Sequence, residues 1–274
     1  MKLVTWNIKG VNKIYKQKEL QVFLNESKTS IIASLENKVK ERNAQKIIDK
    51  VTSQWQWHAN HNHSDKGRIW VLWDNTTVDF TEIANTDQMI HGYIKSCSSQ
   101  VEFYFTAVYG WHTVETRKSL WTQLDSIATG VNGPWLIMGD FDRTNGSVVQ
   151  ESEVGEFKDR LSRIGLCEMK TVGREYTWTN GHVYSRIDKA LANPAWMTTM
   201  AELDVEIQNA RCSDHSPLVI DFAEPNWRRP RPFKFMNHLV QHQDFQEAVQ
   251  RGWNKPALGN SMTKVWIQLK QDKN

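Results

Sequence analysis

Apolar and polar positions change period repeatedly along the chain, and each change predicts an element. Lys2-Leu3-Val4-Thr5-Trp6-Asn7-Ile8 reads as a first strand closed by Lys9-Gly10. Leu20, Phe23 and Leu24 recur at helical spacing within Lys18 to Glu26. Ser30 to Leu35 is an apolar strand that exits into Glu36-Asn37-Lys38, and a second helix is expected from Glu41 to Val51. From Trp55 to Tyr109 the pattern turns to β: Trp55–His58, Arg68–Trp73, Val78–Phe80, Met89–Lys95 and Val101–Tyr109, with turn residues at the short intervals of antiparallel hairpins. Leu120, Trp121, Leu124 and Ile127 predict a helix over Thr113 to Thr129, with Thr113 as its N-cap. Trp135-Leu136-Ile137-Met138 then runs straight into Gly139-Asp140-Phe141-Asp142, a short buried strand with a carboxylate at its mouth. Phe157, Leu161 and Ile164 give another helix, ended by Gly165, and Tyr176–Thr179 leads to the turn Asn180-Gly181. Tyr184 to Ala192 reads as one strand, with Arg186 and Asp188 on one side and Ile187 on the other. Pro194 suits the first turn of a short helix, Leu203 to Ile207 is one more strand, and Ser213-Asp214-His215-Ser216-Pro217 precedes the closing strand Leu218–Ile220.

The polar residues at these strand ends form an ordered series: Asn7, Glu36, Tyr109, Asp140, Asp188, then Asp214-His215. Strands that end together in a layered sheet protein deliver such side chains to one rim. Asp140 and Asp142, two apart on extended backbone, face the same way. With Asp142 included, five carboxylates gather around one imidazole. Carboxylates sharing a small site repel unless a proton or a metal neutralises them, and oxygen ligands suit Mg²⁺ or Mn²⁺. The His58–His63 tract, beside Asp65-Lys66-Gly67 turn chemistry, is read as a solvated loop.

Composition narrows the class. The 274 residues carry a net charge of +3, so the chain is mildly basic and compatible with a polyanionic partner. Cys97, Cys167 and Cys212 lie far apart, without zinc spacing and odd in number for disulfides, which fits a reducing compartment. No secretion signal is expected, since Met1-Lys2 leads directly into a strand, and no apolar segment approaches the length of a membrane span.

The set Trp6-Asn7-Ile8, Leu35-Glu36-Asn37-Lys38, Val108-Tyr109-Gly110, Gly139-Asp140-Phe141-Asp142, Ser185-Arg186-Ile187-Asp188 and Ser213-Asp214-His215-Ser216-Pro217 resembles the endonuclease/exonuclease/phosphatase superfamily. Lys16-Gln17-Lys18-Glu19 before the first helix, Gly67–Trp73 and Tyr176–Gly181 look most like the endonuclease domain of plant LINE-type (non-LTR) retrotransposons. The resemblance implies an α/β fold: a two-sheet β-sandwich flanked by helices, the four-layer DNase I-like sandwich. It implies a Mg²⁺-dependent phosphodiesterase (Mn²⁺ being the alternative ion) that nicks DNA and supplies a 3′ hydroxyl for reverse transcription. No small-molecule cofactor or membrane is expected. Chromosomal DNA as substrate implies the nucleus.

Residue by residue, the resemblance makes Glu36 the metal holder, with Asn7 beside it and Asp214 assisting. Asp140 orients and deprotonates water, His215 contacts the scissile phosphate and is held by Asp188, and Tyr109 lies by the phosphate or leaving oxygen. Arg186 and Lys38 are the nucleic-acid contacts beside the site. Two positions depart from the pattern. Asp142 stands where an amide donor is usual, and an ionised Asp donates no hydrogen bond; one such donor is worth roughly 10²–10³ in rate. Lys9 stands where one branch of the family tends to be acidic.

Residues 1–224 are expected to form this domain, and 225–274 a basic linker and helical tail. Arg228, Arg229 and Arg231, interleaved with Trp227 and Phe233, suit phosphate contact with base stacking or a solvated linker, and His238 to Trp253 suggests a helix. The tail resembles the segment that joins such an endonuclease to a reverse transcriptase, which would be the partner in a full-length element. The alternatives are a catalytically weakened, host-retained nucleic-acid-binding domain, a phosphatase on a lipid or inositol head group, and an abasic-site endonuclease.

Overall fold

A computed structural model describes residues 1–111, 113–141 and 151–222, with helical positions 246, 247, 250 and 251 of the tail. The chain divides into two compact units, Met1–Pro225 and Asn226–Asn274, and the account that follows is of the first. Asp142, Arg228, Arg229, Arg231 and nearly all of the helix expected from His238 to Trp253 lie outside the described residues.

Elements are numbered in chain order. One sheet contains β1 (Lys2–Asn7), β2 (Ile31–Leu35), β3 (Gln56–Ala59), β4 (Ile69–Trp73), β10 (Thr171–Gly173), β14 (Val205–Ile207) and β15 (Leu218–Asp221), ordered β10-β14-β15-β1-β2-β4-β3. The other contains β5 (Val78–Asn85), β6 (Met89–Ser96), β7 (Glu102–Tyr109), β8 (Trp135–Asp140), β9 (Cys167–Glu168) and β13 (Asp188–Ala192), ordered β5-β6-β7-β8-β13-β9. A two-stranded ribbon joins β11 (Trp178–Thr179) to β12 (Tyr184–Ser185).

Period-two alternation explains the layering. Leu3, Ile31, Ala33, Leu35, Ile69 and Val71 face Phe103, Phe105, Leu136, Met138 and Ala190 across the central core. Their sequence neighbours Val4, Trp6, Ile32, Trp70 and Leu72 point outward, onto α1 (Ile14–Ser27) and α2 (Glu41–Val51). On the far side Val108, Trp135, Ile137 and Leu191 meet α3 (Val114–Gly130) and α4 (Glu151–Ile164). A short α5 (Pro194–Thr199) starts with Pro194 at its first turn and is capped by the Asn193 side chain. Strands buried on both faces carry unbroken apolar runs, which is why β4 and β8 read so plainly.

Two glycine-dependent or polar features shape the segments that end at the site. Gly139 has φ +155°, and a Cβ there would lie 1.9 Å from the Val108 carbonyl oxygen on the paired strand; only glycine permits that approach. In α1, Lys16 and Gln17 are buried because Lys16 Nζ donates to the Ile8 and Lys9 carbonyls and Gln17 Nε2 to Val11 and Asn12. The helix therefore begins four residues before Lys18, and Lys16–Glu19 lie inside it, not ahead of it. Its first turn spends polar side chains on loop carbonyls, so no apolar period marks it.

The single strand expected from Tyr184 to Ala192 is two. Arg186 and Ile187 form the corner between β12 in the ribbon and β13 in the second sheet. The short strands β9 and β10 were not anticipated; two or three residues give too little alternation to read.

Candidate active site

Topology gathers the polar strand ends on one rim. β1 and β2 are parallel, so Asn7 and the residue after Leu35, Glu36, emerge together. β7 and β8 are parallel, with Tyr109 opposite Asp140. β13 runs antiparallel to β8 and begins here, Asp188 opposite Asp140. β15 is antiparallel to β1, so Asp214 and His215, just before it, reach the same rim. Two hydrogen bonds then join the sheets. Asn7 Nδ2 donates to Asp140 Oδ2 at 2.9 Å, and His215 Nδ1 lies 2.9 Å from Asp188 Oδ2. Asn7, Glu36, Asp140, Asp188 and His215 are all buried.

Residues with no separate sequence signal hold this geometry. Thr177 Oγ1 accepts from the backbone N–H of Ile187 and of Asp188, fixing the corner. The same segment bonds to the other sheet, where Ser216 N–H donates to the Thr177 carbonyl at 2.7 Å and Thr179 N–H to that of Asp214. Trp6 Nε1 donates to the His215 carbonyl, and Ser213 Oγ to the Asn7 carbonyl. Thr177 and Trp178 read in the sequence only as the run into the Asn180-Gly181 turn and as part of the resemblance; their positioning role is visible once the ribbon bridges the two sheets.

The charges are more balanced than expected. Among the described residues four carboxylates reach the rim, and two have a lysine. Lys38 Nζ is 2.6 Å from Glu36 Oε1, and Lys9 Nζ bonds Asp214 Oδ2, which also accepts from Trp178 Nε1 at 3.1 Å. Lys9, Glu36 and Lys38 all adopt left-handed backbone, φ 52°, 55° and 57°. Non-glycine residues held there store strain, and such outliers cluster at functional sites. Burial pushes the Asp214 carboxyl up, but the Lys9 ammonium and His215 outweigh it and hold it below the usual range. Burial likewise works against a charged His215, yet Asp188, with Asp140 and Asp214, lifts the imidazole to about 9. The surrounding carboxylates thus favour the protonated form of His215 more than water does for a free imidazole.

Asn7 is engaged at both ends of its amide: the nitrogen donates to Asp140 and the oxygen accepts from Lys9 N–H at 3.0 Å. Tyr109 is wholly buried, with the Arg68 guanidinium 5.6 Å over its ring. Arg186 pairs with Glu168 at 3.1 Å. The His58–His63 tract forms no metal group among the described residues; His58 stacks on Trp73, and His61 Nε2 lies 3.1 Å from the Val39 carbonyl. A divalent ion fits the rim. The donor set is mostly carboxylate oxygen, and ligand atoms of Asp140, Asp188 and His215 lie within 4.8 Å of one another.

The profile of the endonuclease/exonuclease/phosphatase family matches residues 4–215. The chain belongs to this family. No curated protein sequence matches the chain. Among solved structures, the endonuclease domain of TRAS1, a telomere-specific non-LTR retrotransposon, superposes with a TM-score of 0.63 at 14% identity, covering 80% of this chain and 96% of that one. The mannosyl-6-phosphatase Bt3783 of Bacteroides thetaiotaomicron gives 0.55 at 14%, covering 81% and 98%. The human Nocturnin catalytic domain, with a bound sulfate, gives 0.53 at 15%, covering 80% and 93%. Such likenesses establish the fold, the four-layer DNase I-like sandwich. Because a retrotransposon endonuclease and a sugar phosphatase share it, the fold does not choose the substrate. The chain is thus a hydrolase of this family with a buried acidic group able to hold a metal.

Proposed function

We propose that this protein is a metal-dependent phosphodiesterase that nicks DNA, the nick priming target-site reverse transcription of a LINE-type element in the nucleus. The observation behind the reading is the pair of bonds between the sheets, which fixes Asp140 through Asn7 and His215 through Asp188 on one buried rim. The stretches Gly67–Trp73 and Tyr176–Gly181, which resemble LINE-type endonucleases, favour DNA over a sugar phosphate.

Glu36 is the residue that would hold Mg²⁺ or Mn²⁺, and the ion would neutralise charge on the phosphoryl oxygens. His215 is the weaker choice of ligand, since Asp188 holds its Nδ1 and favours its protonated form. Asp214 is engaged by Lys9 and Trp178, and Glu36 has Lys38 beside it, so the ion would compete with a lysine at either carboxylate. In the reaction Asp140, aligned by Asn7, takes the proton of the attacking water. The His215 imidazolium, held by Asp188, donates from Nε2 to a phosphate oxygen as negative charge builds. Tyr109 is assigned to the phosphate or the leaving oxygen. The water oxygen bonds to phosphorus as the P–O3′ bond breaks, and the departing oxygen takes a proton from solvent to become the 3′ hydroxyl while Asp140 returns its own to solvent. Lys38, Arg186 and the tail arginines Arg228, Arg229 and Arg231 are assigned to the DNA backbone, residues 225–274 serving as the basic linker.

Nicking of supercoiled plasmid with Mg²⁺, Mn²⁺ or chelator, by the natural protein, Glu36→Ala and Asp142→Asn, tests the reading. Nicking that needs both metal and Glu36 supports it. Activity in Asp142→Asn alone identifies a nuclease disabled at one residue. DNA binding without nicking by either leaves the binding-module alternative.

A further inference from the structure

A second basic feature stands on the same rim, outside the residues assigned above. Arg68 and Trp111 are each half-buried, and the Arg68 guanidinium carbon lies 4.3 Å over the Trp111 ring. Trp111 is fixed by its indole N–H to Asp87 Oδ2, 2.6 Å, and its backbone N–H to Gln88 Oε1, 2.8 Å. Gln88 is fully buried and spends its amide nitrogen on the Thr116 carbonyl and Ser119 Oγ. Arg68 is fixed from below by Asn60, also fully buried, whose Oδ1 accepts from the N–H of Arg68 and of Ile69. The Asn60 amide nitrogen goes to the carbonyls of Thr86 and Asp87. One buried amide thus ties the turn that bears Arg68 to the loop whose aspartate holds Trp111. Buried polar groups are tolerated only when satisfied, and these two are satisfied by the elements that set up the stack.

We propose that Arg68 on Trp111 is a binding subsite for a backbone phosphate of the nucleic acid, flanking the scissile bond. The proposal rests on the nuclease reading. The indole holds the guanidinium by cation–π attraction, and the planar N–H fork so positioned is the group that grips a phosphate bidentately. Among the described residues no carboxylate pairs with Arg68; Asp87 gives its carboxylate to the Trp111 indole. The location is right. The Arg68 carbonyl accepts from Asn37 N–H at 3.3 Å, beside Glu36 and Lys38, and the Tyr109 ring lies 5.6 Å beneath. A purely structural stack explains less, because Asn60 already fixes this backbone without the guanidinium.

The test is binding of a short labelled DNA duplex to the full chain in chelator, where nothing is cut, followed across salt concentrations. Arg68→Gln should weaken binding about tenfold near 0.1 M salt and lower the slope of log K against log salt by about 0.9. Arg68→Lys should keep the slope while losing part of the affinity, because charge survives and the stacked fork does not. In nicking, Arg68→Gln should raise KM and leave kcat near the natural value. A natural slope in Arg68→Gln overturns the proposal, whatever the nicking assay says. Nicking that persists with that unchanged slope leaves the nuclease reading standing alone. A natural protein that neither binds nor nicks ends both. Should Arg68→Gln lose thermal stability, the slope of Arg68→Lys decides: a slope lowered despite the retained charge overturns the subsite.

Discussion

Replacing Asn7 with Asp changes one atom type in a buried hydrogen bond and leaves the shape intact. In the natural protein Asn7 Nδ2 donates to Asp140 Oδ2 at 2.9 Å, and both residues are at most 1% exposed. Asn7→Asp sets two carboxylates at that distance. At an effective dielectric near 20 their repulsion is about 6 kcal/mol as a rough bound, comparable to the whole stability of many domains. The folded protein can escape by keeping one proton on the pair, which restores the bond but removes the base. A pair that holds its proton more tightly folded than unfolded is penalised little near pH 4 and increasingly as pH rises. The assay is thermal or urea unfolding of Asn7→Asp and the natural protein at pH 5 and pH 8, in chelator so that bound metal does not mask the charge. The stability gap should widen by several kcal/mol at pH 8, and nicking should fall at neutral pH. A gap that is the same at both values would refute the buried Asn7–Asp140 contact on which the site was built.

Gly139→Ala should lose several kcal/mol or fail to fold, read by circular dichroism and melting, because the added carbon meets the Val108 carbonyl oxygen of the paired strand; a melting point within a few degrees of natural would count against that approach. Burial holds the His91 imidazole down to about 4, with the Phe105 carbonyl opposing, so stability from this group is present above 6.5 and lost as pH falls toward 4. His91→Asn keeps an acceptor for the Thr106 hydroxyl, 2.8 Å away in the natural protein, and does not titrate; its loss of unfolding free energy from pH 7 to 5 should be smaller by about 2 kcal/mol, and an equal loss would refute this. Lys9→Gln removes the ammonium from Asp214 while the Trp178 indole N–H and a long Ser213 contact of 3.4 Å remain, so Mn²⁺ measured by calorimetry should bind severalfold tighter at low salt, and unchanged affinity would show that Asp214 is not felt at the metal.

The sequence by itself determined the long buried strands, because double-sided burial writes long apolar runs such as Ile69–Trp73 and Trp135–Met138, and it placed polar residues at their exits. It also supplied the series Asn7, Glu36, Tyr109, Asp140, Asp188, Asp214 and His215, whose order along the chain carried the resemblance to the family later matched over residues 4–215. Only the tertiary structure decided how those residues are shared out. A hydrogen bond between the two sheets joins Asn7 to Asp140, more than a hundred residues apart, and no local period encodes such a pairing. The lysines illustrate the same limit. Lys9 reads as a departure from the family pattern and Lys38 as a nucleic-acid contact; only left-handed backbone and the neighbouring strands turn them onto Asp214 and Glu36. Asn60 and Gln88 likewise carry no pattern; their work is to satisfy backbone groups from separate loops, and those loops meet only when the sandwich closes.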